Sequence, residues 1–348
     1  MTENVLEVNA LDVAYHTSGG ALKAVNDVSF TLNKGERLGL VGESGSGKTT
    51  LATALMRLVR EPGKINGGEI LLDGSDLLQL SDEEMRQARS TEISMIPQGA
   101  MNSLNPVMRI QDQMIDTLRD HGVSQSKSEF KKWAGDLLER VGLPAEVAGM
   151  YPHELSGGMK QRVAIATGIS LQPKVIIADE PTSALDVVVQ REVMGTLRKA
   201  QEELGAAVIL IGHDMGLMAQ FADRIGVMYA GKLVEIASVW DIFEKPQHPY
   251  TQLLIASLPS LEVKEVFKGI PGRTPSLLSP PSGCGFHPRC PQAMDHCSKL
   301  VPTLRELENG QMVSCHLYDE TSGSDDSAPS NGDGDLNIVG SSNAAPQN

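Results

Sequence analysis

Gly42-Glu43-Ser44-Gly45-Ser46-Gly47-Lys48-Thr49-Thr50 fits the phosphate-binding pattern G-x-x-x-x-G-K-[ST]. Glycines at Gly42, Gly45 and Gly47 allow backbone conformations that a Cβ would forbid, so successive N–H groups can converge on phosphate oxygens. Lys48 is then placed on the β- and γ-phosphates, and Thr49 offers a hydroxyl to Mg²⁺. The run from Thr50 to Met56 opens a helix whose positive end faces the anion. The pattern predicts a triphosphate cradle.

Further polar residues stand at the ends of apolar runs. Arg37-Leu38-Gly39-Leu40-Val41 leads into the cradle, Ile93-Ser94-Met95-Ile96 into Pro97 and Gln98, Val175-Ile176-Ile177-Ala178 into Asp179-Glu180, and Ala207-Val208-Ile209-Leu210-Ile211 into Gly212-His213. Continuous apolar runs of this length are strands buried on both faces of a parallel sheet, and ligands bind at the carboxyl ends of such strands. Asp179 is placed to hold Mg²⁺ through water, as the acidic residue after an apolar strand does in P-loop hydrolases. Glu180 could be the general base, a role worth typically 10²–10⁴-fold. His213 could bond the γ-phosphate and align the attacking water, and Gln98 could ligate Mg²⁺ or orient that water. A solvated acidic turn and a structural histidine are the bland alternatives.

Leu155-Ser156-Gly157-Gly158-Met159-Lys160-Gln161-Arg162 begins an apolar-periodic helix that Ser156 can cap. Two glycines there cost about 1 kcal/mol each in helix propensity, which is reasonable only if the backbone must approach something closely, such as an anion. Tyr15 could stack on a purine, although a single ring of this kind more often serves packing.

These residues need an ordered sheet to hold them, and the composition supplies one. The 348 residues carry 41% apolar side chains, which excludes disorder of the whole, and a formal charge of −14 argues against a basic nucleic-acid footprint. Val5 to Leu32 alternates as strands do, predicting a small antiparallel sheet ahead of the cradle. Gly67 to Gly74 reads as strand and turn, Ser81-Asp82-Glu83-Glu84 as a capping box, and Gly99 to about Gly149 as mostly helical. The start lacks the basic and apolar segments of a signal peptide, and no window approaches a membrane span, so a cytoplasmic protein is expected. Residues 319–348 hold six acidic and no basic side chains amid Ser, Gly and Asn, the composition of a disordered tail.

Taken together, residues from Val5 to His316 resemble the ATP-binding subunit of an ABC transporter. In that family the cradle is the Walker A motif, Tyr15 the adenine-stacking position, Gln98 the Q-loop and Leu155 to Gly158 the signature. Asp179 and Glu180 match Walker B, Ser183-Ala184-Leu185-Asp186 the D-loop and His213 the switch histidine. Met159-Lys160-Gln161-Arg162, His248-Pro249-Tyr250-Thr251 and the four cysteines look like the importers of oligopeptides, dipeptides and nickel. Gly99-Ala100 and Gly212 depart from the Asp-Pro and Thr frequent at those places.

The resemblance implies an α/β fold: a P-loop cassette over residues 1–258, with a RecA-like core sheet, an antiparallel β subdomain and a helical subdomain over about 99–172. A small four-cysteine extension over 259–318 and the acidic tail over 319–348 would follow. It implies ATP and Mg²⁺ as ligands, and a head-to-tail dimer in which Ser156, Gly157 and Gly158 serve the ATP of a second ATPase subunit, often a different chain. Two integral membrane permease subunits would be partners and an extracellular substrate-binding protein an indirect one, which places the chain on the cytoplasmic face of the membrane without nucleic acid. The cargo expected is peptide, with nickel or oligosaccharide as alternatives. A soluble ABC ATPase of translation or DNA repair is disfavoured, because the chain has one cassette and no inserted zinc module. Residues 100–150, which follow Gln98, are expected to carry the permease contact, while Met101, Leu104, Val107 and Met108, each taken alone, read as core.

Cys284-x5-Cys290-x6-Cys297-x17-Cys315 lies in a proline-marked, loop-rich region. The gaps are wider than the paired spacings of structural zinc and suit an iron–sulfur cluster. The importer resemblance points to a [4Fe–4S] cluster, while His287, His296 and His316 leave zinc with mixed ligands open. A structural or docking role is expected, apart from the strand-end chemistry.

Overall fold

The computed structural model describes residues 3–99, 103–258 and 269–319. In chain order, β1 (Asn4–Thr17) and β2 (Gly20–Asn33) precede β3 (Arg37–Val41), which leads into the cradle. After the cradle helix Lys48–Leu55 come β4 (Gly63–Leu72), β5 (Ser75–Asp76) and β6 (Ile93–Ile96). Then follow β7 (Val175–Asp179), β8 (Ala207–Ile211), β9 (Arg224–Tyr229), β10 (Lys232–Ser238), β11 (Arg305–Glu306) and β12 (Met312–Val313).

Two sheets result. The smaller is antiparallel, in the order β2-β1-β4-β5, as the alternation before the cradle predicts. The larger runs β11-β12-β10-β9-β3-β8-β7-β6, and its members β9, β3, β8, β7 and β6 are mutually parallel. Because those strands are parallel, their carboxyl ends share one edge. Alternate side chains feed separate layers: Ile176, Ala178, Val208 and Leu210 join one apolar cluster, while Val175, Ile177, Ala207, Ile209 and Ile211 join the other. This two-faced burial explains why the runs are continuously apolar rather than alternating.

Helices Ile110–Asp120 and Lys127–Arg140 fill the stretch read as helical, the second opened by a capping box between Ser126 and Glu129. Ser81 and Glu84 form the capping box expected before helix Asp82–Thr91. At the other end of the chain, β12 pairs with β10, so the cysteine-bearing region continues the main sheet. The described residues up to His316 form one unit; Leu317–Asn348 is a second, of which residues 317–319 are described. The tail beyond Asp319 and residues Ala100 and Met101 lie outside the described residues.

Candidate functional site

The cradle closes because two glycines leave no room for a side chain. A Cβ on Gly42 (φ +146°) would stand 2.1 Å from the carbonyl oxygen of Met228, and one on Gly47 (φ +104°) 2.0 Å from that of Ala24. The ends of β9 and β2 therefore press directly on the loop. Ser44 and Gly45 sit exposed at its tip, while Ser46 is buried. Lys48 is buried too, and its ammonium donates to Gly42 O at 2.8 Å, Glu43 O at 3.1 Å and Ser46 Oγ at 3.3 Å. Burial holds its pKa below the ordinary lysine value, against the opposing pull of Glu180, Asp179 and Glu43.

Beside the loop is a cleft of about 640 Å³ lined by Tyr15, Gln98, Glu180 and His213 together with Gly42, Ser44, Gly45, Gly47, Lys48, Thr49 and Thr50. Residues from four strand ends and from β1 thus share one space. Gln98 Nε2 donates to Glu180 Oε2 at 2.8 Å, and His213 Nδ1 lies 3.5 Å from Glu180 Oε1. Glu180 has a φ of +46°, a left-handed conformation uncommon for a residue with a Cβ.

Asp179 is almost fully buried, and burial raises its pKa above the usual carboxylate value. Thr49 Oγ1 donates to its Oδ1 at 3.3 Å, but its buried Oδ2 has no hydrogen-bond partner among the described residues. Buried carboxylate oxygens are rarely orphaned. An unspent oxygen beside a threonine hydroxyl, at the mouth of a phosphate cradle, fits a hard divalent cation such as Mg²⁺.

Ser156, Gly157 and Gly158 do not line this cleft. Ser156 Oγ accepts from Met159 N at 3.3 Å and caps helix Gly157–Gly168. A Cβ on Gly158 would meet Val189 Cγ1 at 2.6 Å, so packing against helix Val187–Leu204 already demands glycine there. The close approach inferred from the two glycines has, at Gly158, an intramolecular cause.

Sequence reasoning missed the contribution of the C-terminal region. Thr274 Oγ1 donates to Glu43 Oε2 at 2.6 Å, Arg289 forms a fork to both Glu43 oxygens at 2.8 Å, and Leu277 lines the cleft. Glu43 N donates to Tyr250 Oη at 2.9 Å. The expectation that this region stands apart from the strand-end chemistry is therefore corrected. Only the Gly-Glu-Ser-Gly-Ser-Gly pattern flags Glu43, and nothing near Arg289 in the chain points to it.

Cys297 and Cys315 are buried, and Cys284 and Cys290 partly so. Cys284 N donates to Cys297 O at 2.8 Å, which ties the backbone of these two cysteines together. Burial raises Cys284 and Cys290 above the ordinary thiol value. His287 Nδ1 bonds Cys284 O at 2.9 Å, His316 Nε2 bonds Leu300 O at 2.9 Å, and His296 meets the His316 ring edge-on. No three of the four thiols lie within 4.8 Å of one another, so among the described residues the cysteines do not form a preformed single-ion site. In the stretch expected to meet the permease, Val107 is 80% exposed, whereas Leu104 packs against the core and Met108 is half-buried.

Comparison with known proteins agrees with this geometry. The ABC transporter family model matches residues 25–183, and the model for the C-terminal region of oligopeptide/dipeptide transporters matches residues 234–297. The chain is 43% identical to the dipeptide transport ATP-binding protein DppD of Bacillus subtilis over 91% of its own length and 96% of the relative's. It is 45% identical to the oligopeptide transport ATP-binding protein OppD of the same organism, over 90% and 88%. Among solved structures it resembles the dimeric ATP-binding cassette MJ0796 in its post-hydrolysis state with ADP and phosphate, at 28% identity and TM-score 0.61, covering 67% of this chain and 98% of that one. CbiO1 of Clostridium perfringens, part of the ABC transporter complex CbiONQ, gives TM-score 0.59 at 28% identity over 70% and 92%.

Proposed function

Because the chain belongs to the ABC transporter family of ATP-binding subunits, in the oligopeptide and dipeptide group, we propose how its residues divide the work. The protein is an ATP-hydrolysing subunit of an importer in that group, and it works with permease subunits and as a dimer of ATPase subunits. Tyr15 stacks on the adenine, and the cradle amides with Lys48 hold the phosphates. Thr49 and Asp179, with Gln98, hold Mg²⁺, which when bound neutralises charge on the phosphates. Glu180 accepts a proton from water as the water oxygen bonds the γ-phosphorus and the bond to the bridging oxygen breaks, leaving ADP and phosphate. Gln98 and His213 orient that carboxylate and the water.

The observation that carries this reading is the convergence of Gln98, Glu180 and His213 on the cradle. Ser156, Gly157 and Gly158 act on the ATP of the second ATPase subunit, a different chain; their position away from this chain's own cleft supports that. The exposed Val107 supports a permease contact within residues 100–150. Among the described residues no helix is long and apolar enough to cross a membrane, and we place the chain on the cytoplasmic face through two permease subunits, with a substrate-binding protein beyond them. The names of its relatives favour peptide as cargo over nickel or oligosaccharide. Cys284, Cys290, Cys297 and Cys315 hold a [4Fe–4S] cluster in a structural role, with zinc as the competing occupant.

Reconstitution of the chain with the permeases it co-purifies with, followed by ATP-dependent uptake of a labelled dipeptide, tests the function. Uptake that is absent while the complex hydrolyses ATP would move the cargo away from peptides. Failure to retain any integral membrane subunit would overturn the importer role.

A further inference from the structure

The side chain of Glu43 projects from the second position of the cradle, where a carboxylate beside a bound triphosphate is electrostatically adverse. Its charge is taken up from the far end of the chain. Arg289 Nη1 donates to Glu43 Oε2 and Nη2 to Oε1, each at 2.8 Å, and the arginine side chain is only 5% exposed. The remaining guanidinium donors are also engaged. Nε bonds Pro271 O at 2.8 Å, Nη1 also bonds Tyr229 Oη at 3.1 Å, and Nη2 also reaches Ile270 O at 3.4 Å. The group lies over the rings of Tyr229 and Phe286 at 5.8 and 6.0 Å. A guanidinium whose five N–H donors all have acceptors is held rigidly.

The backbone of the same glutamate is tied on both sides. Its N–H donates to Tyr250 Oη, and its carbonyl accepts from Lys48 Nζ, the ammonium expected on the phosphates. We propose that Arg289, reaching in from the cysteine-bearing C-terminal region, is a positioning residue for ATP binding: it neutralises Glu43 and holds the cradle in its phosphate-accepting shape. Thr274 completes the clamp on Glu43 Oε2, and Leu277, from the same segment, forms part of the cleft wall. The C-terminal region is thus a component of the nucleotide site.

The proposal rests on the cradle being the ATP site, and binding of a fluorescent ATP analogue to the wild-type full-length chain tests that separately. In the same titration Arg289→Met should weaken binding by about tenfold or more, because it leaves an uncompensated, partly buried carboxylate beside the phosphates. Adding Glu43→Gln removes that carboxylate, and the double variant should return to within about threefold of wild type. In the reconstituted transporter Arg289→Met should raise KM for ATP while kcat stays within about threefold. Arg289→Lys keeps the charge but lacks the fork, and should weaken binding by about threefold. Thermal melts of every variant accompany the titrations. If Arg289→Met binds like wild type, or if the double variant is as weak as the single one, the proposal is overturned. Should Arg289→Met fail to fold, Arg289→Lys decides, and unchanged affinity in that variant overturns it equally.

Discussion

Gln98 Nε2 donates to Glu180 Oε2 at 2.8 Å, so the polar residues that follow β6 and β7 meet on one carboxylate, with His213 after β8 at 3.5 Å from its other oxygen. A carboxylate contacted at both oxygens is held in one position. Glu180→Gln should keep ATP binding, trap the closed dimer and lose 10²-fold or more of turnover, the scale of a general base. Phosphate release within about threefold of wild type would refute the assignment.

Ser156 is exposed and does not line its own chain's cleft, and its side chain caps the helix by accepting from Met159 N. Ser156→Arg loses that cap, at about 1 kcal/mol, and puts a bulky cation where a partner's phosphate would approach. The isolated chain should keep near-normal nucleotide affinity while turnover in the assembled ATPase disappears. Collapse of ATP binding by the isolated chain would instead mean that the signature helix acts in cis.

Asp179 offers a pH test. Burial raises its pKa in the native state, so in the window between the ordinary carboxylate value and the raised one the native state binds more protons than the unfolded state. The stability this contributes is present below that window and lost as pH rises through it. Asp179→Asn removes the buried charge and should stabilise the nucleotide-free chain at neutral pH by about 1 kcal/mol, or about 2 °C, while Mg²⁺-dependent turnover falls. Thermal melts at pH 4 and 7 check it; an identical pH response in both proteins would show that the acid is not responsible.

His248 runs in the opposite sense. Its ring is wholly buried, Nδ1 accepts from Tyr250 N at 3.0 Å, and burial pushes its pKa down to about 3. The unfolded chain takes up the proton near 6.5 and the native state does not, so stability is lost as pH falls below about 6.5, by up to about 1.4 kcal/mol per unit. Asn at this position can still cap helix Pro249–Ala256 but does not titrate. Urea midpoints from pH 7 to pH 4 should slope less in His248→Asn than in wild type, and equal slopes would count against the assignment.

The cysteines make a compositional prediction. Anaerobically purified protein should be coloured and contain about four iron atoms per chain, the content of a [4Fe–4S] cluster, and replacing all four cysteines by serine should remove both. A colourless chain with about one zinc and no iron would sink the cluster. Iron retained by the serine variant would sink the ligand set.

Much of the site is legible in the chain because it is encoded by neighbours. The cradle needs glycines at fixed offsets and a lysine at their end; each apolar run needs only its own composition to be a buried strand and its next residue to be polar. Capping at Ser81 and Ser156 likewise acts over three residues. Parallel pairing of β6, β7, β8 and β3 then carries those separate residues to one edge, which the continuous apolar runs already suggest. Other relationships have no local signature. Gly158 is constrained by Val189 on another helix, and β12 joins β10 across a long gap in sequence. Glu43 and Arg289 are 246 positions apart, and each alone reads as an ordinary charged side chain. Local chemistry determined which residues could bind and hydrolyse a nucleotide. Only tertiary packing decided that the C-terminal region would supply the counter-charge, because a partly buried ion pair is specified by the space its two partners share and not by the residues beside either one.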